Sequence, residues 1–457
     1  MNMKIDRELI AKYNQPVPRY TSYPTVPFWT DFDNTAKWKT LFKKQFSVDN
    51  KKEGISLYLH LPFCESMCSF CGCNKRITTN HQVEDEYLSA LHKEWLLYLN
   101  LMDSKPVLRE LHLGGGTPTF FAPQNLKRMM NFIFESSTIH PEHEFSFEGH
   151  PNNTTKEHLQ ALYDLGFRRV SFGVQDNDPE VQRVINRIQP IANLIRATND
   201  AREIGYKSVN FDLVYGLPKQ TEASIRRTIA ETIELKPDRI AFYSYAHVPW
   251  ASKGQRLFDE NDLPPADEKL QLYIAGKEMF LEAGYHDLGM DHFALTHDDL
   301  YTAAEKGTMH RNFMGYTTQN TSLLLGLGVS SISDIGVAFG QNNKLLQEYY
   351  ETVNAGQLPV TRGFLLNEED LDFRKYILDI SCKGRTKFKP AHLISLYEYT
   401  FRELASLQAD GLLNYSEQGI EVTPLGRHFI RNICKAFDLH LLRSQQIGEN
   451  QMFSKAI

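Results

Sequence analysis

The chain has 457 residues, 42% of them hydrophobic and 23% charged, with a formal net charge of −6. That length admits one large domain plus a smaller one, and the composition is that of a folded protein. The acidic balance argues against a nucleic-acid binder with a basic face. The polar start Met1-Asn-Met-Lys-Ile-Asp-Arg-Glu8 and the lack of a long apolar run predict no signal peptide, no membrane span and a cytoplasmic protein.

Residues 1–50 precede the first strand, and Pro16-Val-Pro-Arg-Tyr-Thr-Ser-Tyr-Pro24 reads as extended, proline-stiffened chain, an arm laid over the body. From residue 55 onward strand-like and helix-like runs alternate. Strands are predicted over 55–61, 108–113, 144–148, 169–174, 208–214 and 239–245, and helices over 84–100, 124–135, 156–165, 191–204, 223–235 and 267–283. In the first helix Tyr87, Leu88, Leu91, Trp95 and Leu96 carry the helical spacing. Strands separated by helices imply parallel pairing through right-handed crossovers. Six such units predict an open, partial (β/α)6 barrel in an α/β fold, with the site at the C-terminal ends of the strands. Beyond residue 365 the pattern turns helical, and the stretches 393–408 and 419–427 resemble a winged helix. Glu398, Glu403 and Asp410 outweigh Arg402 there, the wrong charge for phosphate, so a packing module or lid is expected. The expected division is an arm over 1–50, a partial-barrel domain over 51–364 and a mainly helical domain over 365–457.

Four cysteines, Cys64, Cys68, Cys71 and Cys73, fall within ten residues. The C-x3-C-x2-C spacing of the first three is that of a loop wrapping three irons of a [4Fe–4S] cluster, leaving a fourth iron open to chelate S-adenosylmethionine. Structural zinc is the alternative, but zinc sites usually take their ligands as separated pairs. A disulfide reading is weaker still, since nothing suggests secretion. Gly114-Gly-Gly-Thr117 ends the second strand. Its glycines let backbone groups approach a ligand's amine and carboxylate, although a triple glycine alone is only a tight turn. Glu148, Gln175, Arg187 and Asp212 fall at or just past strand ends, where a carboxylate suits a ribose diol and an arginine suits a carboxylate. Each alone reads as a solvated strand end; with the cluster loop they read as a site.

These motifs resemble those of the oxygen-independent coproporphyrinogen III oxidase family of radical S-adenosylmethionine enzymes. The resemblance rests on the cysteine loop with Cys73, Gly114-Gly-Gly-Thr-Pro-Thr119, Gly173-Val-Gln-Asp176, Asn186-Arg187 and Asp212-Leu-Val-Tyr-Gly-Leu-Pro-Lys219. Pro18-Arg-Tyr-Thr-Ser-Tyr-Pro24, Gly289-Met-Asp-His-Phe293 and His310-Arg-Asn-Phe-Met-Gly-Tyr-Thr-Thr318 extend it from about residue 15 into the C-terminal region. The resemblance implies that Cys64, Cys68 and Cys71 ligate the cluster and that Cys73 does not. Tyr58, Phe70, Gly115, Glu148 and Ile332 would surround the S-adenosylmethionine bound to it. Gly116, Thr117, Gln175, Arg187, Asp212 and Ala246 would hold a second S-adenosylmethionine, and Tyr58, Glu148, Phe313 and Ile332 would serve catalysis.

The implied reaction turns two propionates of coproporphyrinogen III into vinyls, giving protoporphyrinogen IX in anaerobic haem biosynthesis. It implies a monomer and a flavodoxin or ferredoxin as electron donor. Arg19, His310 and Arg311 are candidates for holding propionates. Two departures stand out: Met314 where the family has glutamine, and Gly149-His150-Pro151 where it often has Val-Asp-Pro. Met314 supplies only a thioether that packs. A paralogous tetrapyrrole enzyme and a haem chaperone are the competing readings; the arm and the fourth cysteine favour the decarboxylase.

Overall fold

Strict alternation inside the strands decides the architecture. In Arg169–Gln175, Val170, Phe172 and Val174 are buried on one face, while Arg169, Ser171, Gly173 and Gln175 stand on the other. The protein, a computed structural model, is described over residues 6–32, 35–250, 252–446 and 453–456; most of the polar start lies outside those residues. Six strands, β1 (Ile55–Leu61), β2 (Val107–Gly115), β3 (Thr138–Gly149), β4 (Arg169–Gln175), β5 (Ser208–Tyr215) and β6 (Arg239–Ser244), pair in parallel in that order. Each is followed by its helix: α1 (Val83–Leu99), α2 (Pro123–Glu135), α3 (Lys156–Asp164), α4 (Ile191–Ile204), α5 (Glu222–Glu234) and α6 (Ala266–Glu282). Phe145, Phe147, Phe172 and Phe211 fill the layer between sheet and helices, each burial worth about 1.5–3 kcal/mol.

The sheet does not close. It runs to 13 strands, continuing past β6 through His292–Ala294 and His286–Gly289, and past β1 through Leu324–Leu327, Ile332–Asp334, Ala338–Asn342, Val360–Leu365 and Thr30–Asp31. The third strand begins six residues before the predicted 144, because Val107 and Leu108 pair with Thr138 and Ile139 although the stretch between is polar. A short helix, Pro179–Val184, escaped the periodicity; Asp178 caps it and Pro179 opens it.

Inside the 1–50 segment expected to be an arm, Thr35–Lys52 is a helix that sinks Trp38, Phe42 and Phe46 into the core. The proline-rich run does lie over the body. Val17, Tyr20 and Tyr23 are buried, Tyr20 donates to Asp438 at 3.2 Å, and Asn432 donates to the Tyr13 carbonyl at 2.9 Å. The C-terminal part combines helices such as Glu368–Lys383 and Phe401–Ala409 with a small antiparallel sheet of Arg385–Lys387, Gly419–Val422 and Leu413–Ser416. The helix predicted over 393–408 is interrupted by a π turn at Leu396–Thr400. Among the described residues no helix is long and apolar enough to cross a membrane.

Candidate active site

The inner face of the sheet carries a polar ladder. Parallel register sets Tyr58 beside His112, His112 beside Ser146, and Gly173 beside Asp212. Tyr58 Oη lies 3.1 Å from His60 Nδ1, and His112 Nδ1 lies 2.8 Å from Ser146 Oγ. Ser171 donates to Asp212 at 2.7 Å and Asn210 donates to it at 2.8 Å. Burial pushes the Asp212 carboxyl up to about 6, so it is mostly ionised at neutral pH. Glu148 accepts from the Gly115 amide at 3.3 Å.

The cysteine loop leaves the end of β1 and is held from several sides. The Gly116 and Thr117 amides donate to Leu61 and Phe63 at 2.8 and 2.9 Å. A Cβ on Gly116 would lie 2.6 Å from the Pro62 backbone, which is why that turn needs glycine. Gln255 donates to the carbonyls of Phe70 (2.8 Å) and Ala246 (3.2 Å), and Ser252 donates to that of Cys71 (3.0 Å). Lys75 Nζ donates to the Cys71 carbonyl at 3.0 Å. The Cys73 thiol and the nearby Lys75 pull the Cys71 thiol down to about 6, whereas burial pushes Cys64 up.

Arg187 reaches in from beyond the short helix. It donates to the Gly173 carbonyl at 2.6 Å and to Cys68 Sγ at 3.6 Å, and its Nε is buried without a partner. Gly173 makes this approach feasible, since a Cβ there would stand 3.0 Å from Arg187 Nη2.

A cavity of about 820 Å³ gathers these parts. Cys64, Cys68, Phe70 and Cys71 line it from the loop, and Gly115, Gly116 and Thr117 from the turn. Glu148, Gln175 and Asp212 line it from the strand ends, with Arg187 and Ala246 beside them. A second cavity of about 590 Å³ is lined by Tyr58, Phe313, Met314 and Ile332 and shares Gly72, Cys73 and Glu148 with the first. Phe313 is held edge-on by Trp29 and Phe339, ring centroids 5.9 and 6.0 Å away. A third, of about 150 Å³, takes in Arg19, Arg311 and Met314. Every expected cluster, cofactor and catalytic residue thus borders one of three adjoining cavities whose linings share residues, and of the three propionate candidates Arg19 and Arg311 do so as well.

His310 corrects an expectation. It shares a two-stranded hairpin with Arg311, and neighbours on a strand point to opposite faces, so Arg311 enters the small cavity while His310 does not line it. Burial, reinforced by Arg374, lowers its imidazole to about 4, leaving it neutral at neutral pH. His150, the other departure, borders the large cavity and is held neutral by burial, its pKa lowered to about 2. Sequence reasoning passed over His60 and His112, although a histidine at alternate positions of an apolar strand was a usable signal. It also assigned no role to Asp291, although the Gly289–Phe293 motif contains it, and passed over Tyr243 and Arg431, for which no local pattern exists.

The donor set suits a cluster better than a single ion. Among the described residues no group of three or more His, Cys, Asp or Glu converges as the ligands of one metal ion would. The three thiols all line one cavity, where a cluster bound by three cysteines would sit.

The Radical SAM superfamily model matches residues 58–231. The chain is 40% identical to the oxygen-independent coproporphyrinogen III oxidase of Synechocystis sp., over all of this chain and 98% of that protein. It is 40% identical to the Escherichia coli protein of the same name, over 99% of this chain and 98% of the other. The solved structure of coproporphyrinogen III oxidase from Escherichia coli, described as a radical SAM enzyme, superposes with a TM-score of 0.88 at 37% identity, covering 96% of this chain and all of the other.

Proposed function

The chain belongs to the oxygen-independent coproporphyrinogen III oxidases of the radical SAM superfamily, and from that membership we propose how its residues carry out the reaction. The enzyme is an oxidoreductase that converts two propionates of coproporphyrinogen III to vinyls. Each propionate gives up one hydrogen atom from its β-carbon, carbon dioxide and one electron. When bound, the [4Fe–4S] cluster and S-adenosylmethionine supply the hydrogen-abstracting 5′-deoxyadenosyl radical. The observation that carries the reading is the convergence of the three thiols, the glycine turn and the strand-end polar groups on one 820 Å³ cavity.

Cys64, Cys68 and Cys71 hold the cluster, and Cys73 is left to hydrogen-bond Cys71. Tyr58, Phe70, Gly115, Glu148 and Ile332 position the first S-adenosylmethionine, Glu148 through a hydroxyl or ammonium donor. Gly116, Thr117, Gln175, Arg187, Asp212 and Ala246 would hold a second molecule; the unpaired Arg187 Nε and the buried Asp212 suit a carboxylate and an ammonium respectively. Phe313, wedged against Trp29 and Phe339, walls the 590 Å³ cavity against water, which matters where a primary radical must meet only its substrate. Six free cysteines and the cluster loop support a reducing, cytoplasmic setting; a flavodoxin or ferredoxin donor and a monomeric enzyme are what the family membership implies.

The test is mass spectrometry of the tetrapyrrole after anaerobic incubation of reconstituted protein with coproporphyrinogen III, S-adenosylmethionine, a low-potential reductant and an electron acceptor. Loss of two carboxyl groups with gain of two vinyls is the expected result. Unchanged substrate from cluster-replete protein would overturn the reading and point to a paralogue or chaperone.

A further inference from the structure

We propose that the 150 Å³ cavity is a receptor for one substrate carboxylate, that of a propionate not reacting in the turnover under way. The assignment rests on the function proposed above. The cavity is too small for a tetrapyrrole, since whole-ligand pockets run to about 300–1,000 Å³, but it accommodates a short acid side arm.

Its lining is cationic and comes from three separate parts of the chain: Arg19 from the arm, Arg311 from the hairpin, and Arg427 and Arg431 from the C-terminal region. Asp291 is the one carboxylate among the lining residues, and it makes no ion pair within 4 Å among the described residues. Among the described residues one lining guanidinium keeps a buried N–H without a partner, Arg311 Nε. A carboxylate oxygen is the acceptor that such an unmet N–H suits.

The arginines are not equally occupied. Arg311 donates to the Arg19 and Tyr20 carbonyls at 3.0 and 2.6 Å, and Arg431 donates to Val17 and Pro18, so both also tie down the arm. Among the described residues the Arg19 side chain makes a single hydrogen bond, to the Ser244 carbonyl at 2.5 Å, and it borders the large cavity as well. No residue of the cysteine loop or glycine turn lines the small cavity, and it shares only Arg19, Tyr243 and Ser244 with the large one. A carboxylate seated there would have no residue of the cysteine loop or glycine turn against it, while Arg19 ties it to the large cavity.

Arg19→Gln and Asp291→Asn in the full-length reconstituted enzyme test this by anaerobic steady-state kinetics. The substrates are coproporphyrinogen III and the monovinyl tricarboxylic intermediate, which still carries non-reacting propionates. Arg19→Gln should raise KM at least tenfold for both substrates while kcat falls less than threefold. Asp291→Asn, by removing a competing anion, should lower KM at least twofold. An unchanged KM in Arg19→Gln overturns the proposal, as does a rise confined to the four-carboxylate substrate, which would seat a reacting propionate there. A rise in KM for both variants also overturns it, marking the cluster as a structural tie. Wild-type enzyme that forms no vinyl product would instead sink the function on which the assignment rests.

Discussion

The proposed cofactor side and the proposed substrate side of this enzyme are built in opposite ways. The first is assembled at the strand ends of one continuous sheet, whose register places Glu148, Gln175 and Asp212 directly, while the cysteine loop and Arg187 reach in from the connections after β1 and β4. The second is assembled from three segments that meet only through tertiary contacts, held by arginine side chains bonding to backbone carbonyls. The difference teaches where rigidity is needed. A radical source must be placed to a fraction of an ångström, and a hydrogen-bonded sheet provides that. Substrate entry and release need a side that opens, and hydrogen bonds to an arm allow it.

The largest effect is expected on the cofactor side. Cys64→Ala, Cys68→Ala or Cys71→Ala should abolish vinyl formation and reduce bound iron to background by elemental analysis. Thermal melting of the cluster-free forms of variant and parent should stay alike. A large drop in melting temperature would break the comparison, showing that the loop also supports the fold. Next comes the core beneath that side: Phe211, wholly buried on β5, should cost about 3–5 kcal/mol when cut to alanine, read by chemical denaturation.

On the substrate side the effects are smaller and depend on conditions. Burial and the nearby Lys277 lower the His428 imidazole from 6.5 to about 4. The unfolded chain therefore takes up a proton near pH 6.5 and the folded chain only near pH 4. Stability present at neutral pH is lost as pH falls through that window, by up to about 1.4 kcal/mol per pH unit. Denaturation midpoints of His428→Asn between pH 7 and pH 4.5 should show a shallower slope than the parent; an identical slope would remove His428 from the account. The smallest effect is assigned to Met314, which borders the two smaller cavities. Restoring the family's glutamine with Met314→Gln should change kcat/KM by less than about twofold, because a thioether packs where an amide would. A larger change would sharpen the comparison by placing this departure in substrate or cofactor contact.

The sequence by itself determined the six strand–helix units, the cluster loop and the strand-end polar groups. Those signals are local: alternation along a strand, helical spacing along α1, thiol spacing within a loop. Even Pro179–Val184 was legible in principle from its cap. What only the tertiary structure decided lies above the sheet. It separated Arg311 from His310 by the two faces of a hairpin strand, and it sank Thr35–Lys52 into the core instead of leaving it with the arm. It also set Arg311 against the carbonyl of Arg19, 292 positions away, with Arg431 beside them. No spacing rule spans such separations. Their meeting depends on how the arm, hairpin and C-terminal region pack, and that is set by the summed burial of Val17, Tyr20 and Tyr23 rather than by any motif the arginines share.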